Sequence, residues 1–154
     1  VTYTIRRADP DDIDTLTRLR LDFVREVGTL AADDSATELG EAIRRYLLEH
    51  LPGDDFAVWV AEVGDQIVAM AWLVLSDRPP TPWSLVGREA LVLNVYTISD
   101  WRDQGIATAL MEEIIRFVKA TDAGRIQLRA TEAGEPVYRK LGFVPVASVM
   151  EMKL

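Results

Sequence analysis

Residues 94–110, N-V-Y-T-I-S-D-W-R-D-Q-G-I-A-T-A-L, pass from an apolar strand through a short polar turn into an amphipathic helix. Arg102 opens the turn, Gly105 follows three residues on, and Ala107 two further. A strand that feeds a helix through such a turn leaves several backbone N–H groups unpaired at the positive end of the helix dipole. Phosphate is the ligand best matched to that arrangement. Arg102 beside a helix start is poor charge complementarity on its own, and Gly105 and Ala107 remove bulk there. Two readings account for this. In one, a polyanion sits on the turn, close to the Gly105 backbone, with Ala107 keeping the approach open and Arg102 adding charge. In the other, the turn is ordinary and the arginine is solvated.

Outward from this stretch, hydrophobic periodicity divides the chain into alternating strands and helices. Residues 3–7 read as a short strand, and Asp9-Pro10-Asp11-Asp12 as a helix start with acids at the positive end. Ile13, Leu16, Leu19, Leu21, Phe23 and Val27 give that helix an apolar face up to Gly28. Residues 30–37 are a polar connection. Ser35 or Thr37 caps a second helix, striped by Ala42, Ile43, Tyr46 and Leu47 and ending near Leu51. Residues 56–63 and 66–75 are strands joined by Gly64-Asp65, a good two-residue hairpin turn. Residues 76–89, with three prolines and Trp83, form a loop. Residues 90–97 make an almost continuously apolar and therefore central strand. A helix over 105–120, a strand over 125–130, a short helix over 135–141 ended by Gly142, and one or two strands within 143–154 complete the order. The pattern predicts an α+β sheet with helices packed on it.

Length and composition bound the function. The chain has 154 residues, of which 49% are hydrophobic and 27% charged, enough for one domain with a substantial core and normal for a soluble protein. Residues 1–154 are expected to form that single domain. There is no apolar run long enough for a membrane span, and residues 1–7 lack a signal-peptide core. With no Cys and one His, His50, disulfides, thiolate or multi-histidine metal sites and a Cys nucleophile are excluded, and no metal is expected. Ser99 and Ser148 have no His partner in view. A cytoplasmic protein without membrane or nucleic-acid partners is the expectation. Net charge is −8, all of it in residues 1–90, which hold 9 basic against 17 acidic residues. Nucleic-acid binding needs a basic stripe instead. The acidic half favours either a cationic partner or simply a solvated surface.

Arg102-Asp103-Gln104-Gly105-Ile106-Ala107 resembles the Q/R-x-x-G-x-G/A signature of the GNAT superfamily of N-acetyltransferases. Val95-Tyr96-Thr97 resembles the family's splayed fourth strand. A second stretch, residues 130–143, A-T-E-A-G-E-P-V-Y-R-K-L-G-F, is similar to its other cofactor motif. The resemblance is specific over residues 91–145 and topological before them. It implies a GNAT-like α+β fold: a mixed, mostly antiparallel sheet of six to seven strands, helices on both faces, and a splay between strands 4 and 5. It implies an acyltransferase that moves an acetyl group from acetyl-CoA to a primary amine by direct attack in a ternary complex. A catalytically silent acyl-CoA-binding sensor is the alternative. A homodimer is expected by analogy alone.

Carried over to this chain, the resemblance assigns pyrophosphate binding to the backbone of Gln104, Gly105, Ile106, Ala107 and Thr108, with Arg102 at the Q/R position. Val95, Tyr96 and Thr97 would hold the pantetheine arm, and the Val95 N–H would face the thioester carbonyl as oxyanion donor. Tyr138 matches the residue that protonates the departing thiolate in many members, a task within reach of a phenol of reference pKa about 10. Where many members place an Asn contact to the cofactor, this chain has Thr131, which can offer only a reduced contact. The acceptor site is expected between the first two helices and the 76–89 loop, with Asp22, Glu26, Trp83 and Asn94 as its candidates and Trp101 at its mouth. Candidate bases for the amine proton are Glu26, Asp22 and Glu89, with Asn94 and Tyr96 positioning water.

Overall fold

The computed structural model describes residues 2–31, 35–146 and 149–154. Five strands form one sheet in sequential order: β1 (Thr4–Arg7), β2 (Phe56–Val63), β3 (Gln66–Asp77), β4 (Arg88–Thr97) and β5 (Ile126–Leu128). The first four pair antiparallel, and β5 joins β4 in parallel. Helices α1 (Ile13–Glu26) and α2 (Thr37–His50) cover one face; α3 (Ile106–Lys119) and α4 (Glu135–Lys140) cover the other. None of these helices is long and apolar enough to cross a membrane.

Because strand side chains alternate between faces, β2 and β3 can be buried on both. Val58, Val60, Met70 and Trp72 pack with Leu16, Leu19 and Leu47 of α1 and α2. Trp59, Ala61, Ala69, Ala71 and Leu73 pack with Leu110, Met111 and Ile114 of α3. The start of α1 is fixed electrostatically as well. Asp9 accepts from the Asp11 N–H and Asp12 returns a bond to the Asp9 N–H, a reciprocal cap of the Pro10–Asp12 turn. Arg6 on β1 then grips Asp12 at 2.7 Å and Glu62 of β2 at 2.7 Å, so α1 is pinned to two strands at once.

The expected strands within residues 143–154 do not form: none lies in the described part of that segment, and the sheet has five strands rather than six or seven. Val144, Val146, Met150, Met152 and Leu154 do alternate as strand residues would, yet all are exposed. An alternating pattern needs an edge to receive it, and β5 offers only three residues. Ser148 lies outside the described residues. The other elements match their sequence reading to within about two residues at most ends.

Candidate active site

The central feature is a break in the pairing of β4. Its N-terminal half pairs with β5 from Ala90 to Val92 and no further. On the other side, the β3 register slips between Met70 and Trp72, which face Tyr96 and Leu93, so Asn94 and Val95 together oppose a single residue. This is a β-bulge. Asn94 carries it at φ +52, a conformation that Asn tolerates better than most residues. Past the bulge Tyr96 is in register with Met70, so by alternation the backbone groups of Val95 and Thr97 point to the side that β5 has left. The splay expected between strands 4 and 5 is this unpaired edge.

The edge leads into the turn at 99–105. Asp103 and Gly105 both have positive φ, +59 and +79. Gly105 is the N-cap of α3 in the left-handed region, with no side-chain cap. The first backbone bond across it runs from Ala109 N–H to Gly105 C=O, leaving the N–H groups of Ile106, Ala107 and Thr108 unpaired within the helix. A Cβ on Gly105 would find only the Tyr3 hydroxyl, 4.0 Å away, so the space above this helix end is open. Arg102 turns away from it. Its Nε donates to the Thr97 carbonyl at 2.9 Å, its Nη2 meets Glu26 of α1 at 2.7 Å, and the guanidinium lies 5.7 Å from the Tyr96 ring centre. Gln104 is exposed.

Tyr138 of α4 is buried against the opposite face, its ring edge-on to Phe143. Gly134 makes room for it: a Cβ there would come within 3.0 Å of the phenol ring. Burial pushes the phenol pKa up. Thr131 closes the turn before α4, its hydroxyl accepting from the Gly134 N–H at 3.2 Å.

On the α1 face, Arg20, Phe23 and Glu26 form one ridge at three-residue spacing along β4. Arg20 donates to the Asn94 Oδ1, Phe23 packs edge-on to Tyr96 with centroids 6.1 Å apart, and Glu26 holds Arg102. Asp22 sits beside this ridge, 3.9 Å from Arg18. Burial raises the Tyr96 phenol first, helped by the negative charges of Glu26 and Asp22. The sequence reading missed Arg20. Its only signal was a cation inside an otherwise apolar helix face, between Leu19 and Phe23.

Two expected residues are not part of this assembly. Trp83 and Glu89 lie at the N-terminal end of β4. There Gly124 N–H bonds to Arg88 C=O, Arg125 stacks 5.2 Å over the Trp83 ring, and Glu89 is buried between Arg78 and Arg125. Six residues of extended strand separate Glu89 from Val95, about 20 Å.

The site thus combines a sheet split at a bulge, an uncapped helix end and a buried tyrosine. Residues 54–145 match the family model described as acetyltransferase (GNAT) domain, and the chain belongs to that family. Among solved structures it is similar to a predicted acetyltransferase with acetyl-CoA from Clostridium acetobutylicum, at 29% identity over 99% of this chain and 96% of that one, TM-score 0.88. A GCN5-related N-acetyltransferase from Ralstonia eutropha is similar at 26% identity over 99% of each chain, TM-score 0.85. The glucosamine-6-phosphate N-acetyltransferase from Arabidopsis thaliana shares the fold at 20% identity over 99% of each, TM-score 0.73. No curated protein sequence matches.

Proposed function

We propose that this protein transfers an acetyl group from acetyl-CoA to a primary amine by direct attack in a ternary complex. The observation that carries this reading is the unpaired edge of β4 leading straight to the open N-terminus of α3. The residues fit the cofactor: Gly105 leaves its space clear, and the N–H groups of Gly105, Ile106, Ala107 and Thr108, with Gln104 beside them, suit a pyrophosphate. Val95, Tyr96 and Thr97 supply an edge for the pantetheine amides, as in strand addition. Acetyl-CoA, when bound, supplies the acetyl group as an activated thioester.

Arg102 acts as a strut on this reading. By binding the Thr97 carbonyl and Glu26, it holds the free edge and α1 at a fixed separation and adds positive charge near the turn. The Val95 N–H stabilises negative charge that develops on the reacting carbonyl oxygen. Tyr138 gives its proton to the departing sulfur. Its raised pKa keeps the phenol protonated until then. The amine enters from the α1 side, between Asn94, Asp22 and Glu26. Glu26, paired with Arg102, takes the amine proton directly or through water. Thr131 offers its hydroxyl side to the cofactor near Tyr138.

Among the described residues, the excess acid of the first half does not concentrate at this groove. Asp12 and Glu62 are neutralised by Arg6, and Asp55 and Asp77 by Arg88. Among the described residues, the acids beside Tyr96 at the bulge are Asp22 and Glu26, both paired with arginines, so the expectation of a strongly cationic acceptor draws little support from them. The test is release of free thiol from acetyl-CoA with a pooled library of amino acids, polyamines, aminoglycosides and peptides. Thiol release above background with at least one pool is expected. Tight acetyl-CoA binding with no release from any pool would make the protein a silent acyl-CoA sensor instead.

A further inference from the structure

Resting on the acetyl-transfer reading, we infer that the acceptor is a small free amino acid, whose carboxylate is held by Arg20 while its amine faces the Asn94–Val95 bulge. Arg20 is half-buried on α1, flanked by the rings of Phe23 at 5.5 Å and Trp72 at 6.0 Å. Among the described residues it has no acidic partner, whereas Arg18 on the same helix meets Asp22 and Arg102 meets Glu26. Its one bond is to the neutral Asn94 side chain, and that uses one of five donors. Its remaining donors are not among the buried atoms left without a partner. Burying a guanidinium without a carboxylate is costly. A ligand that brings the carboxylate supplies what the fold omits.

The position selects the ligand. Asn94 is the residue before Val95, so the guanidinium lies within about 8 Å of the Val95 nitrogen. That leaves room for a thioester carbonyl, the attacking amine and a carboxylate one or two carbons from it. A carboxylate matches the planar arginine fork in shape as well as charge. Further along the same helix, Glu26 presents negative charge, shared with Arg102, toward the amine end. The groove therefore carries the two signs of a zwitterion in the order an amino acid needs. Phe23, half-buried beside Arg20, provides an apolar wall for a short side chain.

The experiment compares amino acids with their decarboxylated amines and their amides, and with an amino-sugar phosphate, in two readouts. One is binding to the coenzyme A-loaded protein by calorimetry; the other is kcat/KM for acetyl transfer. The expected result is a preference of about 100-fold for one or more amino acids over the matching amine lacking the carboxylate. In Arg20→Gln that ratio falls at least thirtyfold, mainly through KM, and Arg20→Lys recovers part of it. Circular dichroism verifies that both variants fold. Equal use of carboxylate-free amines, a preference for the amino-sugar phosphate, or a parallel loss on both acceptors in Arg20→Gln overturns the inference and leaves acetyl transfer standing. Arg20-dependent amino-acid binding without any turnover supports the inference and overturns acetyl transfer instead.

Discussion

The two sides of the β4 edge are built by different means. On the α3 side, the proposed ligand recognition falls to backbone groups: the edge of β4 at Val95 and Thr97 that β5 leaves unpaired, and the uncapped helix end after Gly105. On the α1 side, it falls to side chains of one helical ridge, Arg20, Phe23 and Glu26, each matched to a residue on or just beyond β4. A backbone cradle restricts residue type at adjacent positions, because bulk must be absent and φ must turn positive. A side-chain pair requires only that two distant residues meet. Arg20 and Asn94 are 74 positions apart, and Glu26 and Arg102 are 76.

The largest effect is expected on the backbone side. Gly105→Glu places bulk and negative charge over the open helix end and forces a non-glycine residue to φ +79. Acetyl-CoA affinity, measured by calorimetry, should fall by more than about 100-fold through lost approach and charge repulsion. Backbone strain adds about 1 to 2 kcal/mol of destabilisation, which thermal unfolding will register without loss of the fold. Unchanged affinity would mean that the donor is not held at this turn.

Tyr138→Phe tests the chemistry on the same side. The turnover number should drop about 100-fold or more, with acetyl-CoA affinity almost unaltered. Burial raises this phenol, so it stays protonated through neutral and mildly alkaline pH. The wild-type rate should accordingly climb as the amine loses its proton and show no decline from Tyr138 ionisation through mildly alkaline pH. A decline that begins near pH 8 and vanishes in the variant would place the phenol in a different role.

Glu26→Gln moves to the side-chain half. Loss of the carboxylate should lower kcat about tenfold to thirtyfold at pH 7. At pH 9, where more of the amine is already neutral, the deficit should shrink. A deficit that ignores pH would reduce Glu26 to an anchor for Arg102.

How much of this was readable in the sequence follows the same division. The turn at 102–107 and the segment ending in Tyr138-Arg139-Lys140-Leu141-Gly142-Phe143 were legible because their residue types are dictated locally. The hairpin at Gly64-Asp65 and the buried pair β2 and β3 were legible from turn chemistry and hydrophobic runs. Arg20 was not, since an arginine in an amphipathic helix reads as a solvated side chain until the strand opposite it is placed. Where Trp83 and Glu89 lie relative to the bulge was not legible either, because closeness to β4 in sequence says nothing about which end of a ten-residue strand a loop covers. The closing strands were read from alternation alone, which specifies a face but no partner.

Asp12→Asn probes whether the α1 face is held independently of the donor side. Asn keeps the acceptor for the Asp9 N–H but loses the charge that meets Arg6. A stability loss of about 1 to 2 kcal/mol is expected in chemical denaturation at pH 7. The amine KM should rise a few-fold while acetyl-CoA affinity holds, because α1 loosens and α3 does not. The pH dependence has a definite sign. Arg6 holds the Asp12 carboxyl below its usual range. The stabilisation is therefore complete above about pH 4 and fades as pH falls through the lowered folded-state value. In Asp12→Asn this part of the acid sensitivity disappears.

Trp83→Ala should have the smallest effect, and it is the cleanest check on the boundary of the site. Trp83 is 56% exposed, so its removal leaves no interior cavity. Its contact with Arg125 is a surface cation–π pair, worth about 0.5 to 1 kcal/mol. Steady-state parameters for both substrates should change less than about twofold, since the residue lies a strand's length from the bulge. The loop around it is fixed mainly by backbone bonds between Thr81 and Ser84 and by the buried Ser84 hydroxyl, which accepts from the Gly87 N–H. Those bonds survive the substitution. A tenfold rise in amine KM would bring the 76–89 loop into the acceptor site and would require the amine to reach over the β5 end of the sheet. The ridge of Arg20, Phe23 and Glu26 would then be only one wall of a larger groove.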